Sequence, residues 1–214
     1  MIEAVCWDVG GVFSGRPADA VAAIASEHDL EADDIFTAIF GPYHLDGDHA
    51  WHRLERGEIA LKDAWGEVET AIADLGLELT LMDFFRRFGD DPHDRAIVSD
   101  TVRALHGQGI EMGIITNNVK EFSESETGGW RSIVPIDVMR VVIDSSAVGM
   151  RKPNPAIYHH TLAELGVGAP NAVFLDDMQA NVDAAVAIGM HGIVVGADPG
   201  PAMAELNALV DRLS

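Results

Sequence analysis

The feature that most constrains this chain is a repeated pattern. Short apolar runs of strand length each stop at a polar residue, and helical periodicity separates one run from the next. The first run covers residues 2–7, apolar except for Glu3 and carrying Ile2, Val5 and Trp7, and it ends at Asp8. Gly10 and Gly11 follow, and residues without Cβ permit a tight turn and close approach of a ligand to the backbone. Further strands are predicted at residues 111–116, 138–144, 172–176 and 192–195, with helices at 156–165 and 179–188 between them and a last helix from Pro201. Alternation of this kind implies βαβ units with right-handed crossovers, hence an α/β fold built on a parallel sheet.

Residues 15–91 interrupt the alternation. They contain no convincing strand, and helical patterns fall at Pro17 onward, Ala32 to Phe40, Trp51 to Arg56, Leu61 to Leu75 and Leu81 to Phe88. The expected organisation is a sheet-based core of residues 1–14 and 92–214 with a helical insertion at 15–91. Gly89 to Pro92 reads as the linker back to the core.

Ligands of open α/β sheets bind beyond the carboxyl ends of the strands, so the residues that end these runs are candidates for chemistry. Asp8 ends the first. Thr116, Asn117 and Asn118 end the second, Asp176 and Asp177 end the fourth, and Lys152 lies in the Pro-flanked stretch Gly149 to Pro155. Each has a plain structural alternative: a turn former at Asp8, a cap at Thr116 or Asp176, a surface lysine at Lys152. Their convergence on one edge suits phosphoryl transfer. A carboxylate attacks phosphorus, a hard cation such as Mg²⁺ takes oxygen ligands, and hydroxyl, amide and ammonium donors stabilise the phosphoryl oxygens.

Charge narrows the partners. With 14 Lys and Arg against 35 Asp and Glu, the net charge of −21 repels phosphate backbones and anionic lipid, which argues against nucleic-acid and membrane binding. The single cysteine, Cys6, excludes an intrachain disulfide and sits in a predicted core strand. With no signal-type or membrane-length apolar run, a cytoplasmic protein is expected. His44, His49 and His52 lie close together in an acidic, loop-like stretch, where substrate selection, plain solvation and a zinc site are the alternatives.

Taken together, Trp7-Asp8-Val9-Gly10-Gly11-Val12, Gly149 to Pro155 with Tyr158, Phe174-Leu175-Asp176-Asp177 with Asn181, and Leu54 to Ile59 resemble the haloacid dehalogenase superfamily on its phosphatase side. They are similar to the branch that holds the phosphatase-like domain of soluble epoxide hydrolase and small sugar-phosphate phosphatases. The resemblance implies a Rossmann-like parallel sheet core in the order 5-4-1-2-3 with an inserted α-helical cap. It implies Asp8 as nucleophile, Thr116 and Lys152 as catalytic phosphate contacts, and Mg²⁺ held by Asp8, the Gly10 carbonyl and Asp177, with Asp176 acting directly or through water. Asn117, Asn118, His44 and His49 are candidate substrate contacts.

One position departs from the family. Phosphatases of the superfamily usually carry a second aspartate two residues after the nucleophile, as acid and base, and this chain has Gly10 there. A cap side chain such as His44, Asp46, Asp48 or His49 could supply the proton, or the substrate could have a good leaving group. The expected activity is Mg²⁺-dependent hydrolysis of a small phosphorylated metabolite, such as a sugar phosphate, by a monomer or homodimer. The alternatives are a 2-haloacid dehalogenase and a weakened relative that binds without turnover.

Overall fold

The structure is a computed structural model that describes residues 1–87, 95–123 and 129–213. The expected linker at 89–92 and the helix end at Phe88 lie outside those residues. Five parallel strands, β1 (Ala4–Trp7), β2 (Glu111–Thr116), β3 (Val141–Asp144), β4 (Ala172–Asp176) and β5 (His191–Val194), form one sheet in the order β3-β2-β1-β4-β5. This is the expected order, with β1 in the centre.

Period-two alternation along the strands divides two hydrophobic layers. Val5 and Trp7 of β1 face α6 (Ala96–Gly107) and α11 (Gly200–Leu213), where Val98, Val102, Leu206 and Val210 pack. Ala4 and Cys6 face the other way, onto α9 (Pro155–Leu165), with Ile157, Tyr158 and Leu162. The spacing of Val98, Val102 and Leu105 puts all three on one side of α6, which is why that helix lies flat on the sheet. Cys6 is buried in this layer, and burial pushes its thiol pKa up to about 12, so it acts as a small apolar residue.

Strand boundaries differ from expectation in one instructive place. Residues from Val138 read as strand, but β3 begins at Val141, because a 3₁₀ turn over Ile136–Val138 follows Pro135. Beyond β3 a short helix, α8 (Ser145–Val148), is capped by the Asp144 carboxylate, which accepts from the Ser146 N–H at 3.0 Å.

Between β1 and α6 lie α1 (Pro17–His28), α2 (Ala32–Phe40), α3 (Ala50–Glu55), α4 (Leu61–Asp74) and α5 (Leu81–Arg86). Their apolar faces, including Ile24, Ile35, Ile39, Leu54, Val68 and Phe84, form a hydrophobic cluster of their own. Specific polar contacts tie this helical segment to the strand ends. The Ser145 hydroxyl donates to the Glu55 carbonyl at 2.5 Å, and the Asn154 amide donates to Asp46 at 2.9 Å. Gly57 has φ +69°, and a Cβ there would overlap the Ser146 carbonyl oxygen. Gly57→Ala therefore combines left-handed strain with a backbone clash. It is expected to cost about 1–3 kcal/mol in urea unfolding, and an unchanged midpoint would show that this contact does not restrain the segment.

Candidate active site

Strand register brings the expected residues together. Trp7 pairs with Leu175, so Asp8 and Asp176 emerge side by side, and Thr116 is level with Asp144 one strand further out. The Lys152 ammonium sits between the two aspartates, 2.7 Å from Asp8 Oδ1 and 2.7 Å from Asp176 Oδ2. All three side chains are buried. Burial alone would favour the neutral lysine, but Asp176 and Asp8 outweigh it and hold the Lys152 pKa above its ordinary value.

Asp176 and Asp177 do different work although they are adjacent. Asp176 is saturated: besides Lys152 it accepts from the Met178 N–H at 2.8 Å and from the Asn181 amide at 3.0 and 3.1 Å. Tyr158 in turn donates to the Asn181 carbonyl at 2.8 Å, so two residues of the expected motifs serve to orient Asp176. Asp177 has no such support. Its buried Oδ2 lacks a hydrogen-bond partner, and Arg16 approaches it only to 3.7 Å. Gly11, at φ +71°, lies so close that a Cβ would overlap the Asp177 carboxylate. At Gly10, by contrast, a Cβ would meet nothing within 4 Å.

Three carboxylates against the Lys152 ammonium and the looser Arg16 guanidinium leave excess negative charge in a dry place. Burial, and after it Asp176, pushes the Asp8 pKa up to about 7. Burial with the charges of Asp176 and Asp8 raises Asp177 well above the carboxylate range. Asp8, Asp176 and Asp177 each offer an oxygen within 4.8 Å of the others. Hard, converging oxygen donors that repel one another, one of them unpartnered, fit a small divalent cation such as Mg²⁺.

Asn117, expected as a substrate contact, is otherwise engaged. Its Oδ1 accepts from the Lys152 N–H at 2.8 Å, and its Nδ2 donates to the Lys152 carbonyl at 3.0 Å and to Tyr43 Oη at 3.1 Å. It splints the backbone of the lysine. Asn118 lines the cavity and donates through Nδ2 to Asp144 at 2.8 Å, and Thr116 is buried at the end of β2.

A cavity of about 160 Å³ opens from Asp8, Gly10 and Asp177 toward the helical segment. His44 and His49 are not brought to it: among the described residues, the lining includes neither. The His49 ring instead caps α3, accepting from the Trp51 N–H at 3.2 Å, and His44 is exposed. Asp46 is held by Arg56 at 2.5 Å, and Asp48 is almost fully exposed. The segment's acid that does line the cavity is Glu55, whose oxygens are occupied by Arg151 Nε at 2.7 Å, Trp51 Nε1 at 3.0 Å and Tyr43 Oη at 3.1 Å. Nothing in the local pattern of Leu54 to Ile59 reveals that Glu55 pairs with an arginine nearly a hundred residues away.

A family model described as haloacid dehalogenase-like hydrolase matches residues 73–195, more than half of the chain. The chain belongs to the haloacid dehalogenase-like hydrolases. Acyl-CoA dehydrogenase family member 10 of Mus musculus is 26% identical over 97% of this hydrolase, which spans only 19% of that protein. Sesquiterpene phosphatase astK of Aspergillus oryzae is 27% identical over 89% of this chain and 88% of its own. A phosphoglycolate phosphatase of Pseudomonas putida is 30% identical over 67% of this chain, which spans about half, 53%, of that protein. A family enzyme from Bacteroides thetaiotaomicron, crystallised with magnesium and inorganic phosphate, shares the fold at TM-score 0.59 and 17% identity, covering 92% of this chain and 96% of that one. A dehalogenase crystal structure shares it at TM-score 0.64 and 17% identity, with 97% and 96% covered. Among the described residues of this hydrolase, no helix is long and apolar enough to cross a membrane.

The raised pKa values have a consequence for stability. A carboxyl whose pKa is higher folded than unfolded holds its proton more tightly when folded. Its contribution therefore falls as pH rises from the ordinary carboxylate range to about 7 and stays lowered above that. A cation that binds the ionised cluster offsets the loss, so Mg²⁺ should raise Tm at pH 8 and do so less at pH 5. Asp177→Asn should abolish the shift and itself raise the cation-free Tm at pH 8 by about 2–4 °C per kcal/mol of repulsion relieved. Equal Mg²⁺ shifts in the two proteins would reject the carboxylate cluster as the binding site.

Proposed function

We propose that this hydrolase cleaves small phosphomonoesters through an aspartyl-phosphate on Asp8, in a Mg²⁺-loaded site covered by the helices of residues 15–91 acting as a cap. The observation that carries the reading is the Lys152 ammonium, bonded at 2.7 Å to both Asp8 and Asp176, beside Asp177, whose buried Oδ2 has no hydrogen bond and only a 3.7 Å approach from Arg16. Two relatives, a sesquiterpene phosphatase and a phosphoglycolate phosphatase, support phosphoric ester chemistry, as does the fold neighbour crystallised with magnesium and phosphate.

Each residue then has a role. Lys152 favours the ionised form of Asp8 against its burial and orients it through Oδ1. An Asp8 oxygen attacks phosphorus, the bond from phosphorus to the ester oxygen breaks, and that oxygen leaves with the electron pair and is protonated by solvent. Water then cleaves the aspartyl-phosphate, restoring the carboxylate and releasing phosphate. Thr116, Asn118 and Lys152 are assigned to the phosphate oxygens, and Asn117 to positioning Lys152. Asp8, the Gly10 carbonyl and Asp177 would hold Mg²⁺, with Asp176 orienting the lysine. The cation supplies positive charge that offsets the repulsion between the carboxylates and the phosphate. A dehalogenase needs no such cation, and the unpartnered Asp177 would then be a cost without a use.

Phosphate release measured with Mg²⁺ and with EDTA should be metal-dependent and fall by at least about 10³-fold in Asp8→Asn. Halide release from a 2-haloacid in EDTA would instead establish the dehalogenase. Because the space beside Gly10 is open, Gly10→Asp should fold normally and accelerate hydrolysis of alkyl phosphates by about 10²-fold, the lower end of what an acid/base group contributes. A folded variant without acceleration would show that Gly10 does not limit the rate.

A further inference from the structure

The cavity divides sharply by chemistry. Its floor is Asp8, Gly10 and Asp177; much of its wall is aromatic, from Phe36, Phe40, Tyr43, Trp51, Phe85 and Phe122. These rings hold one another in tilted and edge-on contacts, Phe36 with Phe40 at 4.6 Å, Phe40 with Trp51 at 5.1 Å and Phe85 with Phe122 at 5.1 Å between centroids. The polar groups of that wall are already engaged with each other: Glu55 with Arg151, Trp51 and Tyr43, and Asn117 with Tyr43 and both backbone groups of Lys152. A sugar placed here would leave hydroxyl groups against hydrocarbon with few partners, at a cost for each one buried. An apolar group has no such penalty.

Acidity restricts the group further. Among the described residues that line the cavity, protonation of the leaving oxygen has no ready donor: Gly10 has no side chain, Glu55 is saturated, and burial, then Glu55, pushes the Tyr43 pKa well up. A phenol, with the acidity of a tyrosine side chain at about 10, leaves as its anion far more readily than an alkyl alcohol.

We infer that the substrate is an aryl phosphate, its uncharged aromatic group seated between the aromatic wall and Asp8. The inference rests on the phosphomonoesterase reading above. Asp8 takes the phosphoryl group, the phosphorus–oxygen bond breaks with its electron pair on the phenolate, and solvent protonates that anion.

The test compares kcat/KM for phenyl, cyclohexyl, glucose 6- and acetyl phosphate on the Mg²⁺-loaded protein. Cyclohexyl phosphate matches the ring in size but has a poor leaving group, whereas acetyl phosphate has a good leaving group and no ring. Phenyl phosphate should exceed cyclohexyl phosphate by at least about 10²-fold and, although acetate is the better leaving group, show a KM about 10-fold below that of acetyl phosphate, the effect of burying one ring. Phe36→Asn should reduce the phenyl-to-acetyl ratio about 10-fold. Phe122→Asn, on a short exposed helix, should reduce it too and guards against misfolding of the first variant. Glucose 6-phosphate turned over as well as phenyl phosphate, or acetyl phosphate showing as low a KM, would overturn the aryl assignment and leave the phosphatase standing. No phosphate from any of the four would remove the phosphatase reading, and the aryl assignment with it.

Discussion

The ammonium of Lys152 is the interaction on which the rest of the site depends. Asp8 and Asp176 end adjacent parallel strands, so the sheet itself forces two carboxylates together in a buried place. Without a cation between them, neither could ionise readily. The charge that makes the pair tolerable must arrive from outside the sheet, on the loop ahead of α9. That loop is held accordingly: Asn117 grips both backbone groups of Lys152, and the residue before it, Arg151, is anchored in the helical segment.

Arg151 gives the fold a second buried ion pair with another task. It bonds Glu55 at 2.7 Å and the Leu45 carbonyl at 2.7 Å, and it lies 4.8 Å over the ring of Tyr43. Buried pairs of this kind add little net stability against an apolar replacement, but losing one partner is costly, so they specify geometry. Here consecutive residues, Arg151 and Lys152, hold the helical segment and Asp8 respectively. The seating of the helices and the orientation of Asp8 therefore share one short piece of backbone, and Tyr43 closes the loop by bonding both Glu55 and Asn117.

The two ends of the cavity follow opposite rules. At the floor, carboxylates are kept in a dry setting, with Asp177 Oδ2 lacking a hydrogen bond. At the wall, polar groups are consumed by internal bonds and present aromatic surface. The proposed phosphate ester has the same division, with charge at one end and an organic group at the other.

By itself the sequence determined the α/β class, the sheet order through its family resemblance, and the residues at the strand ends, because strand periodicity and terminal polar residues are local signals. Asp8, Thr116, Asn118, Asp176 and Asp177 could all be read that way, and Lys152 from its Pro-flanked stretch. Tertiary structure decided what each does. Asn117 became a splint for Lys152, and Asp176 an orienting group clamped by Asn181. His49 became a helix cap, and Glu55 the partner of Arg151. A side chain's hydrogen-bond capacity is finite, and which neighbours use it depends on contacts across a hundred residues of chain. The aromatic wall is of the same kind. Phe36, Phe40, Tyr43, Trp51, Phe85 and Phe122 belong to separate stretches with ordinary helical or loop patterns, and only folding gathers them opposite Asp8.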